Sequence, residues 1–235
     1  MTDLCVMLPT RKRPELAARC IESFRETKAG EDTDLILVID DDDDSYENIT
    51  DVDKVTATRG NLITAVNAAA SVLAGAYDAL FLAADDLVFV TPGWDTLMLG
   101  TLEDLGGTGI VFPDDKRRYD VPEHPLISSD WVRELGHFAE PSLAHFYCDN
   151  VWAELGKRTG LIRYCPEAVI EHRHYSVCAE TVHDETYKEA EEAHGTADLA
   201  AFQQWRADQM PYEVARLRRR FNPDVAWVMS RVKVA

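Results

Sequence analysis

The sequence predicts an α/β protein, an open and mostly parallel sheet flanked by helices. Three observations carry that prediction. Short apolar runs alternate with segments of helical spacing, as they do in βαβ units. The runs Leu4–Leu8, Leu35–Ile39 and Ala79–Leu82 are near-continuously apolar, as strands covered on both faces must be. Each of these runs then gives way to polar or acidic residues, which places chemistry at one rim of a sheet, where α/β proteins hold ligands.

The elements follow in order. Leu4–Leu8 reads as a first strand, ended by Pro9 and Thr10. Arg11-Lys12-Arg13-Pro14 forms a basic loop, with Pro14 suited to a first helical turn. From Glu15 to Thr27, Leu16, Cys20, Ile21 and Phe24 share one helical face, and Lys28-Ala29-Gly30 closes the helix. The strand Leu35–Ile39 runs into Asp40-Asp41-Asp42-Asp43-Asp44, a set of like charges that only a loop tolerates. A short strand is expected within Val52–Thr58, then Arg59-Gly60-Asn61 and an Ala-rich helix from Leu62 to Ala70, ended near Gly75.

Ala79–Ala84 climbs into Asp85-Asp86, and Leu87–Val90 is apolar again. Two carboxylates about 4 Å apart repel by about 4 kcal/mol at an effective dielectric near 20. A divalent cation relieves that repulsion, and magnesium or manganese suits hard oxygen ligands. The competing reading is a solvated turn. Pro92-Gly93-Trp94 starts a helix reaching Gly106-Gly107, and Ile110–Phe112 reads as a strand. Pro113–Glu123 is loop-like. Ser129 is expected to cap a helix through Trp131 and Leu135 that Gly136 ends. Asp149 or Asn150 starts a helix over Val151–Lys157. Ile162–Cys165 and Ala168–Ile170 read as two late strands, followed by Glu171-His172-Arg173-His174-Tyr175. From about Thr181 the chain is helical and charged, with a break at Pro211.

Composition narrows the function. At 235 residues and 46% hydrophobic residues the chain can build a full core. A net charge of −18 disfavours binding to nucleic acid or anionic membranes through the overall field, although Arg216-Leu217-Arg218-Arg219-Arg220 is a local basic patch. Five irregularly spaced cysteines without a CxxC pair suggest reduced thiols in a cytosolic compartment. No signal-like start or membrane-length apolar run is present, so a cytoplasmic protein is the expectation.

Leu8-Pro9-Thr10-Arg11, the acidic end of the second strand, Gly60 leading to Asn67 in a helix, and Leu82-Ala83-Ala84-Asp85-Asp86 together resemble, in that order, nucleotide-sugar glycosyltransferases of the GT-A fold, especially the family 2 group. The resemblance covers about the first two-thirds of the chain. It implies a Rossmann-like GT-A domain over residues 1–180, with 181–235 as a helical C-terminal extension packed on it. It implies Mn2+ or Mg2+ as cofactor and a UDP or GDP sugar as donor. Asp86 would be the metal ligand, completed by His172 or His174, of which His172 directly follows an apolar strand. Asp85 would face ribose or sugar.

Pro9, Thr10, Arg11 and Arg13, with Asp40, Asp41 and Asp42, would line the nucleotide pocket, and Gly60-Asn61 would bring a helix start to phosphate or carboxylate. Asp149 would be the base of an inverting transfer, and its plain alternative is a helix cap. The family often has an acid two places before the final pair, where this chain has Ala83, one candidate ligand fewer. The acceptor class is open: a saccharide, a protein, a small molecule or modified DNA. Two rival readings are a metal-dependent phosphohydrolase or nucleotidyltransferase, suggested by His183-Asp184 with His172, His174 and His194 nearby, and a non-catalytic nucleotide-sugar-binding module.

Overall fold

In the computed structural model, which describes residues 3–178 and 182–222, the central element is an eight-stranded sheet. Its order is β3-β2-β1-β4-β7-β6-β8-β5. The strands are β1 Leu4–Pro9, β2 Thr33–Asp40, β3 Asp53–Ala57, β4 Ala79–Leu82, β5 Leu87–Phe89, β6 Ile110–Asp114, β7 Leu126–Ser128 and β8 Ile162–His172. The helices are α1 Pro14–Thr27, α2 Leu62–Leu73, α3 Trp94–Asp104, α4 Ser129–Leu135, α5 Cys148–Thr159, α6 Glu185–Asp208 and α7 Met210–Phe221. The sheet is mixed, with four of its seven strand pairings parallel. β3, β2, β1 and β4 run parallel, β7 turns antiparallel against β4 and β6, β6 and β8 are again parallel, and β5 and β8 are antiparallel.

β1, β2 and β4 follow the apolar runs because helices cover both faces. α1 and α3 bury Cys20, Phe24, Trp94 and Met98 with Leu4, Val6, Leu8 and Phe81. On the other face α2 packs Val66, Ala69 and Ala70 against Cys5, Met7 and Leu80. Trp205 of α6 and Met210, Val214 and Leu217 of α7 enter this second cluster, so the late helices share the core. Pro211 lies at the start of α7, where its missing N–H costs nothing, and the break between helices falls there as expected.

Several boundaries differ from expectation for local reasons. The two late strands are one, β8, because its first half pairs with β6 and its second half with β5 across a register shift at Pro113/Asp114. Ser128, not Ser129, is the cap position of α4, and its side chain makes no capping bond. Its hydroxyl is already engaged by the N–H of Gly109, 3.0 Å away. Tyr147, not Asp149 or Asn150, precedes α5, with φ of 68°, so Asp149 sits within the first turn. The plain helix-cap alternative for Asp149 therefore does not hold. The C-terminal expectation is met over α6 and α7, while Thr181 and residues 223–235 lie outside the described residues.

One buried carboxylate fixes the approach to α5. Asp198 of α6 is 2% exposed and accepts from the N–H groups of Ala144, His145 and Phe146 at 2.8–2.9 Å. Asp198→Ala leaves three donors without their acceptor and is expected to lower unfolding stability by about 2–4 kcal/mol. Denaturant unfolding reads this, and a change below about 0.5 kcal/mol would contradict it.

Candidate functional site

The C-terminal ends of β1, β2 and β4 meet at one rim, and the chain delivers its polar residues there. Asp85 and Asp86 follow β4 and are 6% and 3% exposed, so the solvated-turn reading fails. Two adjacent acids this deep need separate partners, and each has them. Asp85 accepts from the Thr10 hydroxyl at 2.7 Å and from Arg13 Nη1 at 3.3 Å. Burial outweighs those contacts and pushes the Asp85 carboxyl up to about 6. Asp86 Oδ2 accepts from the Tyr187 hydroxyl at 2.6 Å and lies 3.3 Å from His172 Nε2. Burial opposes ionisation of Asp86 too, but the bond and charge of His172 prevail and hold it far below the usual carboxylate range.

Strand pairing explains how His172 arrives. In the antiparallel β5–β8 ladder, Leu87 is the register partner of His172. The residue before Leu87 therefore faces the end of β8, and Arg173 N–H donates to the Asp86 carbonyl at 2.9 Å. On its other side, His172 Nδ1 meets Glu123 Oε2 at 3.0 Å, His124 Nε2 at 3.2 Å and Arg117 Nη1 at 3.1 Å. Burial lowers the His172 basicity, yet the bonds to Asp86 and Glu123 overcome it and raise the pKa to about 9. His124, buried beside His172, is pushed down to about 3. His174 does not join this contact set: its Nδ1 pairs with Ser176 Oγ at 2.8 Å, and its ring stands edge-on to His172 and Tyr187.

The loop after β1 and the acidic loop after β2 clasp one another. Arg11 bridges Asp40 at 2.6 Å and Asp42 at 2.7 Å, and Arg59 adds a contact to Asp42 at 2.9 Å. Arg59 N–H donates to Asp41 Oδ1, and Lys12 N–H to Asp43 Oδ2. The five-aspartate run is thus largely held by its own basic neighbours, not merely solvated. Pro9 ends β1, and the Thr10 N–H donates to the Val38 carbonyl, which places Thr10 beside Asp85. Asn61 caps α2 by a reciprocal box with Thr64, and Gly60 leaves room for it, since a Cβ there would lie 2.4 Å from Thr64 Oγ1. The Asn61 side chain is therefore committed to its own helix.

Asp149 lines a shallow pocket of about 310 Å³ with Phe146, Tyr147, Asn150 and Gly195. Burial raises its carboxyl above the ordinary range. Asn150 N–H and Arg118 oppose that shift, and the Glu123 charge adds to it. Glu123 thus lies within electrostatic reach of both Asp149 and His172.

Several residues of this rim gave no sequence signal. Tyr187 comes from the start of α6, as does Asp184, which the sequence marked only as part of a hydrolase-like pair: Arg13 stacks 4.0 Å over the Tyr187 ring and pairs with both Asp184 oxygens. Asp184 also caps α6 by accepting from Tyr187 N–H, so it serves a helix start and an ion pair. Tyr46 links Thr10 and the Arg13 N–H. Glu123 and His124 lie in a segment without periodicity. An acid-His dipeptide near a late histidine was the available clue.

Burial also sets a pH dependence beside Asp149. Burial lowers His145 to about 4, with His194 acting in the same direction, whereas an unfolded histidine titrates near 6.5. Between those values the unfolded chain binds the extra proton, so stability falls as pH drops from about 6.5 to 4. His145→Gln is expected to reduce that fall when unfolding midpoints are followed over the interval. A slope equal to wild type would show that His145 is not held neutral.

No family model matches the sequence, and no curated protein sequence is detectably similar to it. Solved structures are similar in fold. A mannosyltransferase from Pyrobaculum calidifontis, solved with GDP-Man and Mn2+, aligns with TM-score 0.60 at 12% identity, over 100% of this chain and 79% of its own. Glucosyl-3-phosphoglycerate synthase from Mycobacterium tuberculosis, solved with Mn2+, UDP and phosphoglyceric acid, aligns with TM-score 0.55 at 14% identity, over 74% of this chain and 71% of its own. TarS from S. aureus, solved with UDP, aligns with TM-score 0.56 at 10% identity, over 99% of this chain and 76% of its own. The fold of this chain is therefore the GT-A fold of nucleotide-sugar glycosyltransferases.

Proposed function

We propose that this chain is a metal-dependent glycosyltransferase that moves a sugar from a nucleoside diphosphate sugar to a hydroxyl acceptor with inversion. One observation carries the reading: Asp86 Oδ2 and His172 Nε2 lie 3.3 Å apart at the ligand rim of the fold. Neighbouring oxygen and nitrogen ligands on one octahedral cation stand about 3 Å apart, so the pair fits Mn2+ or Mg2+. The Pyrobaculum and Mycobacterium structures hold Mn2+ with GDP or UDP ligands, which supports the same donor class here. A cation in that position supplies Lewis-acid screening of the charge that develops on the departing diphosphate.

The chain's own residues do the rest. Asp86 and His172 hold the cation, with His172 preferred over His174 because its ring nitrogen already faces Asp86. Asp85, kept in place by Thr10 and Arg13, faces ribose or sugar. Arg11, with Asp40, Asp41 and Asp42, borders the base and ribose, and Pro9 and Thr10 shape the floor. Gly60 and Asn61 mark the N-terminal end of α2 on the phosphate side. Asp149, its basicity raised by burial, takes the proton from the acceptor hydroxyl while the sugar carbon is attacked from the opposite face.

Residues 1–180 then form the transferase domain, with the later helices packed on it as an extension. Cys5, Cys20, Cys148 and Cys165 are free thiols, which suits a cytoplasmic setting. Among the described residues no helix is long and apolar enough to cross a membrane.

Calorimetric titration of UDP and GDP with and without Mn2+ tests the donor site. Binding of at least one of them that strengthens with Mn2+ is expected, and Asp86→Asn should remove that strengthening. No nucleoside diphosphate binding in any condition would refute the proposal. Asp149→Asn should keep donor binding and lower turnover about 10²–10⁴-fold. Turnover close to wild type would remove Asp149 from the base role.

A further inference from the structure

A second group of ligating side chains shares no residue with the rim. His137 and Glu140 lie in the loop after α4, and Glu213 lies in the first turn of α7. One ligand atom from each falls within 4.8 Å of the others. Glu140 is only 2% exposed. Its Oε1 accepts from Ser142 N–H at 3.0 Å, while Oε2 is buried with no hydrogen-bond partner among the described residues. Glu213 is arranged the same way. Its Oε2 accepts from Trp205 Nε1 at 3.0 Å, and its Oε1 stands 3.6 Å from His137 Nε2, beyond a hydrogen bond. His137 Nδ1 is also buried without a partner.

Each carboxylate thus has one oxygen fixed by an N–H donor, while the other is unpartnered in Glu140 and turned to His137 Nε2 in Glu213. That is how supporting bonds orient acidic metal ligands. No lysine or arginine pairs with either acid among the described residues. Glu140 is buried and Glu213 and His137 are half-buried, so bringing two acids and an imidazole together here is expensive, and the unpartnered Glu140 Oε2 and His137 Nδ1 raise the cost. The donor set, one imidazole and two carboxylates, is one that Zn2+ accepts with a water in the fourth place. At bond lengths of about 2.1 Å, ligand atoms 3.6 Å apart subtend an angle of about 120° at the metal, open enough for tetrahedral coordination.

We propose that His137, Glu140 and Glu213 bind a Zn2+ ion that pins α7 to the loop after α4. This site is independent of the sugar-transfer site. The ion joins the late helices to the sheet domain at the place where Trp205, Met210 and Val214 enter the shared core.

The test uses full-length protein stripped with EDTA, with no nucleotide present. Co2+ serves as the spectroscopic probe and Zn2+ as its competitor. Asp86→Asn should take one equivalent of Co2+ with the intense visible band of a four-coordinate site, wild type should show a band of the same intensity, and Zn2+ should bleach it in both. Glu140→Gln and Glu213→Gln should lose the band while keeping Mn2+-dependent nucleoside diphosphate binding. The proposal is overturned if wild type binds neither ion, if the band survives both substitutions, or if Asp86→Asn alone abolishes it. Should either variant not fold, wild-type thermal stability decides. Zn2+ should raise the melting temperature by several degrees and EDTA should reverse the rise, and no shift would overturn the proposal.

Discussion

Two adjacent carboxylates, nearly closed to water, are the constraint on which the rest of the rim depends. Two carboxylates about 4 Å apart would repel by about 4 kcal/mol at an effective dielectric of 20, and burial adds to the cost of each charge. The fold separates them by partner. Asp85 is given to Thr10 and Arg13, and Asp86 to His172 and Tyr187. The outcome is two neighbouring acids of opposite bias, one raised to about 6 by burial and the other held strongly ionised by the histidine. Pairs whose environments push their proton affinities apart are suited to different tasks, and the proposed function gives cation binding to one and contact with neutral hydroxyls to the other.

The partners come from far along the chain, which ties the site to the whole architecture. His172 is delivered by strand register with β5, and Tyr187 by the start of α6, 101 residues after Asp86. Arg13 is held between Asp85, Asp184 and the Tyr187 ring, so α6 is drawn towards the rim by charge as well as by the apolar residues it adds to the core. On the far side of His172, Glu123 accepts at Nδ1 and carries the polar network towards Asp149. Arrangements in which an acid holds the second nitrogen of a metal-facing histidine fix its tautomer and ring plane.

Much of this was legible from residue order. β1, β2 and β4 could be read because parallel strands covered by helices must be apolar along their whole length, and Asp85-Asp86 stood out because such a run does not otherwise end in two acids. His172 could be placed because it directly followed an apolar strand. What could not be read depends on pairing between distant segments. Glu123 and His124 lie in a loop without periodicity, and Tyr187 looks like any helical tyrosine until α6 docks. The antiparallel β7 gave no signal because it is three residues long and its direction is set by its neighbours. The aspartate run read only as a loop beside the nucleotide, because nothing in local sequence says that Arg11 and Arg59 fold back onto it.

The central claim is that Asp86 and His172 hold one divalent cation against a nucleoside diphosphate. Crystals grown with Mn2+ and UDP or GDP, measured on both sides of the manganese absorption edge, test it most directly. The account predicts an anomalous peak within about 2.3 Å of both Asp86 Oδ2 and His172 Nε2, touching diphosphate oxygens. A bound nucleotide with no peak there, or a peak coordinated by other residues, would contradict it.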